Sequence, residues 1–204
     1  MNSHLTCLGV VLAGGNSTRM GQDKASLTFA NNSLLAHTKA IMHHAGIKET
    51  VVSGNNYQVA DLYPNQGPVS GILSVIAQYR PQSLIILPVD MPLITSDLIK
   101  QLIMHGQLKQ QATFYQGNRL PLFLPINGFT ELAMNKVKQQ MSLNSNSQQT
   151  KGPSIQDFLE NVPQQALKIS DERLLINTNT PNQLQLALQQ YSKRNKHEQF
   201  KANR

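Results

Sequence analysis

Short apolar runs alternate with stretches of helical periodicity along most of the chain. Leu8-Gly9-Val10-Val11-Leu12 is a continuous apolar run, the pattern of a buried strand. Leu34, Leu35, Ile41, Met42 and Ala45 recur at helical spacing, and Gly46 stops that helix. Thr50-Val51-Val52 is a short second strand, ended by the loop Ser53-Gly54-Asn55-Asn56. Asp61, Pro64, Asn65 and Gly67-Pro68 follow. Pro68 stands where a helix can begin, and Gly71 to Tyr79 reads as that helix. Ser83 to Leu87 is the clearest buried strand and runs into Pro88-Val89-Asp90-Met91-Pro92-Leu93. Ser96 is placed to cap the next helix, to about His105, with Asp97 favourable to its dipole.

Ala112 to Tyr115 and Leu120 to Leu124 read as two further strands around Gln116-Gly117-Asn118-Arg119. Thr130 to Met141 is a predicted helix, Ser142 to Gly152 a polar mobile loop, and Ser154 caps a short helix to Glu160. Two short strands are expected near Ala166 to Ile169 and Leu174 to Ile176. Thr180 as N-cap and Pro181 at the first helical position start the last helix. Strands alternating with helices predict an α/β fold, a mostly parallel sheet with helices on both faces.

The chemistry concentrates in Leu12-Ala13-Gly14-Gly15-Asn16-Ser17-Thr18-Arg19-Met20-Gly21-Gln22-Asp23-Lys24. Glycines after a strand let the backbone turn tightly and approach a ligand. Backbone and side-chain donors, with the fixed charges of Arg19 and Lys24, suit a polyphosphate. Asp23-Lys24 also reads as an ordinary surface pair. The string is neither G-x-x-x-x-G-K-[ST] nor G-x-G-x-x-G. Asp90, flanked by Pro88 and Pro92 just past a strand, stands at the edge where open α/β sheets gather ligands. It has no obvious partner in the sequence, and its work is either to cap a turn or to hold a hard cation, Mg²⁺.

The string resembles L-A-G-G-x-S-x-R-M-G-x-D-K, the signature of nucleotidyltransferases that activate sugars and cofactors. Within these it is most similar to the MobA-type molybdenum-cofactor guanylyltransferases. Pro88 to Pro92 resembles that family's P-x-D-x-P, Gly67 to Ile72 its G-P-L-A-G-I, and Asn177 to Pro181 its N-x-N-T-P. The resemblance spans roughly Leu8 to Leu184 and implies a Rossmann-like nucleotidyltransferase fold. It implies transfer of GMP from Mg-GTP to molybdopterin, releasing pyrophosphate. Arg19, Lys24 and Asp90 would be catalytic, with Asp90 on the metal. Leu12, Ala13, Gly14, Gly15, Lys24, Ser53, Asp61 and Asp90 would bind the nucleotide, Asn55 sharing the place of Ser53. The link from Ser53 to Gly67 is shorter than is usual in the family. Arg119, Asn177 and Asn179 would face the pterin, although Arg119 also reads as a solvated loop residue. The readings left open are a cytidylyltransferase on the same pterin, a sugar-phosphate nucleotidyltransferase and a non-catalytic adaptor that delivers cofactor. Leu12-Ala13-Gly14-Gly15 favours guanine within this resemblance.

The 204 residues suffice for one sizeable core, and the 40% apolar content fits a globular chain. The formal charge of +7 suggests nucleic acid until it is located: residues 192–204 carry net +4 of it. The chain is therefore divided into one domain, 1–191, and a basic tail, 192–204, expected to be disordered. The remaining charge suits a small anionic substrate rather than nucleic acid. No apolar run approaches a membrane span, and Met1-Asn2-Ser3-His4 lacks a basic leader. One cysteine, Cys7, reads as core rather than nucleophile, and six histidines form no metal-ligand pattern. These features point to the cytoplasm. The resemblance implies GTP and the pterin as partners, and molybdoenzymes or other cofactor-biosynthesis proteins beyond them.

Overall fold

A computed structural model describes residues 7–13, 23–146 and 152–202. The strands are β1 (Leu8–Leu12), β2 (Thr28–Phe29), β3 (Asn32–Ser33), β4 (Thr50–Ser53), β5 (Ser83–Pro88), β6 (Ala112–Tyr115), β7 (Leu122–Pro125) and β8 (Gln164–Leu167). The helices are α1 (Leu34–His44), α2 (Pro68–Tyr79), α3 (Ser96–Lys109), α4 (Gly128–Asn146), α5 (Ile155–Leu159) and α6 (Pro181–Ala202). The main sheet has the order β4-β1-β5-β7-β6-β8. β4, β1 and β5 are parallel, β7 is antiparallel to both its neighbours, and β6 pairs parallel with β8. β6 therefore runs in the same direction as β1 and β5, and the ends of all three open on one edge. β2 and β3 form a separate hairpin turned through Ala30 and Asn31, both at positive φ.

Alternation along the strands divides the core. Leu84 and Ile86 pack with α2, α4 and α5 on one face, while Ile85 and Leu87 pack with α1 and α3 on the other. A third cluster near the strand ends joins Val11 and Val52 to Ala25, Phe29, Leu34 and Ala187. It seats the chain that returns from the opening loop against β1, β4 and α6.

Several local expectations are corrected. Thr95, not Ser96, caps α3, its hydroxyl accepting from Leu98 N at 3.3 Å. Leu174 to Ile176 is not a strand. Asp171 accepts from Arg173 N and starts a 3-10 turn over Glu172–Leu175, which buries Leu175 beneath α3 and β6. α4 runs on to Asn146 through residues expected in a loop, since nothing between Met141 and Asn146 breaks a helix. α6 spans the start of the basic segment from Ser192. α6 continues through it to Ala202 with no Gly or Pro to stop it, and Arg194 is anchored on the loop after β5. Cys7 is half-buried, and burial pushes its thiol pKa up, away from reactivity.

Candidate active site

Three strand ends are stitched together at the open edge. Ala13 N donates to Ser53 O at 2.9 Å, and Val89 N donates to Leu12 O at 3.1 Å. Gly14, Gly15 and Arg19 lie outside the described residues. The chain re-enters at Asp23, whose Oδ1 accepts from Ala25 N at 3.1 Å and caps a 3-10 turn over Lys24–Ser26. Ala25 is buried beneath, so Lys24 projects over the edge.

Lys24 Nζ stands 2.9 Å from Asp90 Oδ2 and 2.6 Å from Asn179 Oδ1. Asp90 thus has the partner that its sequence context did not reveal: Lys24, from 66 positions earlier. The Lys24 and Asp90 side chains keep 19% and 17% of their surface exposed, so a polar ligand reaches them from solvent. A carboxylate oxygen and an amide oxygen aimed at one cation form a hard donor pair, the chemistry a divalent ion of the Mg²⁺ kind requires. Among the described residues no group of three or more His, Cys, Asp and Glu stands together.

The backbone around Asp90 is held from three directions. Asp90 O accepts from Thr178 N at 2.8 Å and from Thr178 Oγ1 at 3.2 Å. Pro92 O accepts from His37 Nε2 at 2.9 Å, and Leu93 O from Arg194 Nη1 at 3.0 Å. His37 packs its ring against Phe29 and Tyr191. Burial, first, and the Arg194 charge lower its pKa while the Pro92 carbonyl opposes them, which keeps a neutral ring donating through Nε2. Thr178, His37 and Arg194 were not legible as site residues in the sequence. Each works through a main-chain oxygen, which leaves no side-chain motif behind.

On the β4 side, Ser53 is buried at the strand end and faces Gly71 on α2. A Cβ at Gly71 would collide with Ser53 Oγ and stand 3.2 Å from Asp61 Oδ1, so only glycine leaves this corner open. Gly67 precedes α2 at φ 77°, a conformation natural to glycine, and Pro68 opens the helix. Asp61 is half-buried, and burial raises its pKa. Among the described residues its carboxylate has no hydrogen-bond or ion-pair partner. Asn55 is exposed on the turn beyond Ser53.

On the β6 side, Arg119 lies with its guanidinium 4.3 Å from the centre of the Phe114 ring. Asn177 lines a cleft of about 490 Å³ with Gln116, Gly117, Asn118 and Arg173. Thr178 turns inward and is buried, while Asn177 and Asn179 are exposed on either side of it. The two asparagines part company there: Asn179 meets Lys24 and Asn177 borders the cleft.

The geometry has counterparts among known proteins. The family model of the MobA-like NTP transferase domain matches residues 9–151. A molybdenum cofactor guanylyltransferase of Xanthomonas euvesicatoria pv. vesicatoria is 35% identical over 179 residues, covering 86% of this chain and 90% of that protein. A probable molybdenum cofactor guanylyltransferase of Carboxydothermus hydrogenoformans is 25% identical over 191 residues, covering 89% and 95%. The crystal structure of molybdopterin-guanine dinucleotide biosynthesis protein A from Archaeoglobus fulgidus superposes with a TM-score of 0.71 at 17% identity, covering 91% of this chain and 99% of that one. That likeness carries the fold: a Rossmann-like nucleotidyltransferase sheet with one reversed strand. With the family model matching residues 9–151 and a relative 35% identical over most of both chains, the chain belongs to the MobA-like NTP transferase family.

Proposed function

We propose that the protein transfers GMP from GTP to the terminal phosphate of molybdopterin, forming the guanine dinucleotide and releasing pyrophosphate. The observation that carries the reaction class is the convergence of Lys24, Asp90 and Asn179 at the open edge of the sheet. The printed name of the Xanthomonas relative supports guanine and the pterin. The accepting phosphate is already an anion, so the reaction requires no strong base and rests on positioning and charge neutralisation.

Leu12, Ala13, Gly14 and Gly15 bring backbone amides to the triphosphate in this reading. Lys24 and Arg19 neutralise it. Asp90, with the Asn179 oxygen beside it, holds Mg²⁺, which supplies Lewis-acid neutralisation of the phosphates when bound. Ser53 and Asp61 take the nucleoside in the corner that Gly71 leaves open. Arg119 and Asn177 border the pterin side, where an arginine suits the substrate phosphate. Molybdoenzymes receive the product in the cytoplasm. Among the described residues no helix is long and apolar enough to cross a membrane.

Thermal stabilisation by each of the four NTPs with Mg²⁺ tests the assignment. GTP raises the melting temperature most, and pyrophosphate is released only when the pterin is added. Equal or greater stabilisation by CTP would overturn the guanine assignment.

The Asp61 reading has its own signature. Its raised pKa means that ionisation costs folding stability at neutral pH, a cost relieved as pH falls through the raised value. Nucleotide binding has the opposite sign, because the ionised carboxylate accepts from nucleoside N–H or O–H groups more strongly than the protonated acid does. GTP affinity should therefore start to fall at a higher pH than an ordinary aspartate would dictate. Asp61→Asn should remove that acidic limb while leaving the melting temperature at neutral pH unchanged or higher. Calorimetric titration of both proteins across the acidic range checks it.

A further inference from the structure

Asp23 stands beside the proposed phosphate-binding lysine, and only half of its carboxylate is engaged in capping. Its Oδ1 accepts from Ala25 N, and its main-chain oxygen accepts from Ser26 Oγ at 2.8 Å. Its second oxygen, Oδ2, accepts from the Tyr57 hydroxyl. Tyr57 comes from another part of the chain, the turn after β4 that begins at Gly54. That turn is closed by Tyr57 N donating to Gly54 O at 2.9 Å and by Gly54 N donating to Val59 O at 3.0 Å. The Tyr57 ring packs on the cluster that also buries Ala25 and Val52. Tyr57 therefore bonds the cap of the Lys24 turn through its hydroxyl and packs its ring on the cluster that includes Ala25 of that turn.

We propose that Tyr57 is a positioning residue for nucleotide binding: through Asp23 it ties the Lys24 turn to the β4 turn that follows Ser53. The inference rests on the reading of this edge as the GTP site. The tie joins the segments that the reading assigns to the nucleoside and to the triphosphate. Asp23 directly precedes Lys24 and caps the 3-10 turn that carries it. Anchoring Asp23 fixes the point from which Lys24 reaches Asp90 and Asn179. The hydroxyl is suited to the work. Burial, then the hydrogen bond to Asp23 and its charge, push the Tyr57 pKa up to about 12, so it remains a donor at every pH of interest.

Without the tie, the turn must be reset each time nucleotide binds, which weakens binding without altering the bound complex. The loss thus falls on KM rather than on kcat. Tyr57→Phe keeps the ring and removes only the hydroxyl. It should raise KM for GTP and lower the calorimetric affinity by about fivefold, the usual worth of one hydrogen bond, with kcat changed by less than about twofold. Asp23→Asn should weaken binding by a similar factor, and the double variant should be no worse than the poorer single one, because both changes cut the same link. A Tyr57→Phe protein that binds GTP like the parent would overturn the proposal and leave the GTP reading standing. So would losses that multiply in the double variant, or a lowered melting temperature with unchanged affinity. Parent protein that binds no GTP would overturn both.

Discussion

Asp90→Ala should lower turnover by more than about tenfold while the protein stays folded, because the group removed acts on charge that develops during transfer. The fold should survive because the local backbone does not depend on the carboxylate. Asp90 O is held by Thr178, Pro92 O by His37 and Leu93 O by Arg194, and none of these bonds involves the side chain. What is lost structurally is one partly exposed ion pair with Lys24, worth about 1 kcal/mol or less. For a chain of this size that shifts the melting temperature by about 2–4 °C at most. Steady-state turnover and a melting curve on the same preparation check both statements. Near-normal turnover in the folded variant would remove Asp90 from its role.

Lys24→Ala should also cut turnover by more than about tenfold, the ammonium being one of two fixed charges assigned to the triphosphate. It carries a second signature. Lys24 donates to the same Asp90 and Asn179 oxygens that are assigned to the metal. Metal alone must therefore displace an ammonium from a carboxylate before it binds. Metal arriving with nucleotide meets a lysine that has phosphate oxygens to turn to. Calorimetry with Mn²⁺ as the probe should show weak binding to the parent protein without nucleotide and tighter binding to Lys24→Ala. Asp90→Ala should lose that binding. Tighter Mn²⁺ binding to the parent than to Lys24→Ala would contradict the competition.

The fold was largely legible because strands and helices write different periods into the chain. Leu8 to Leu12 and Ser83 to Leu87 stand out as continuous apolar runs since both faces of those strands are covered. Leu174 to Ile176 misled for a related reason. Three apolar residues in a row satisfy a strand or a turn that buries its leucines in different directions, and only the Asp171 cap decides between them. The run of basic residues after Ser192 concealed a helix, because charge composition reports solvation and says nothing of what one arginine reaches.

The candidate site was legible in proportion to how much of it is made of side chains. Lys24, Asp90, Ser53, Asp61 and Asn179 stand in recognisable strings, and the fold brings Lys24, Asp90 and Asn179 to one point. The braces were illegible. Thr178, His37 and Arg194 hold main-chain oxygens, and Tyr57 acts through Asp23. Such contacts depend on distances between remote elements, which no local spacing encodes.

The three residues that meet at the edge are far apart along the polypeptide, Lys24 lying 66 positions from Asp90 and 155 from Asn179. During synthesis, β1, β4 and β5 can pair well before Asn179 leaves the ribosome. At about 5–20 residues per second, the interval from Asp90 to the end of α6 is on the order of 10 seconds. Throughout it, the growing chain has its central strands but neither Thr178 nor Arg194 to hold the loop. On the proposed reading of the site, competence to grip a ligand thus arrives with the last segment made, and a nascent chain released early would have the sheet of the enzyme without its completed site.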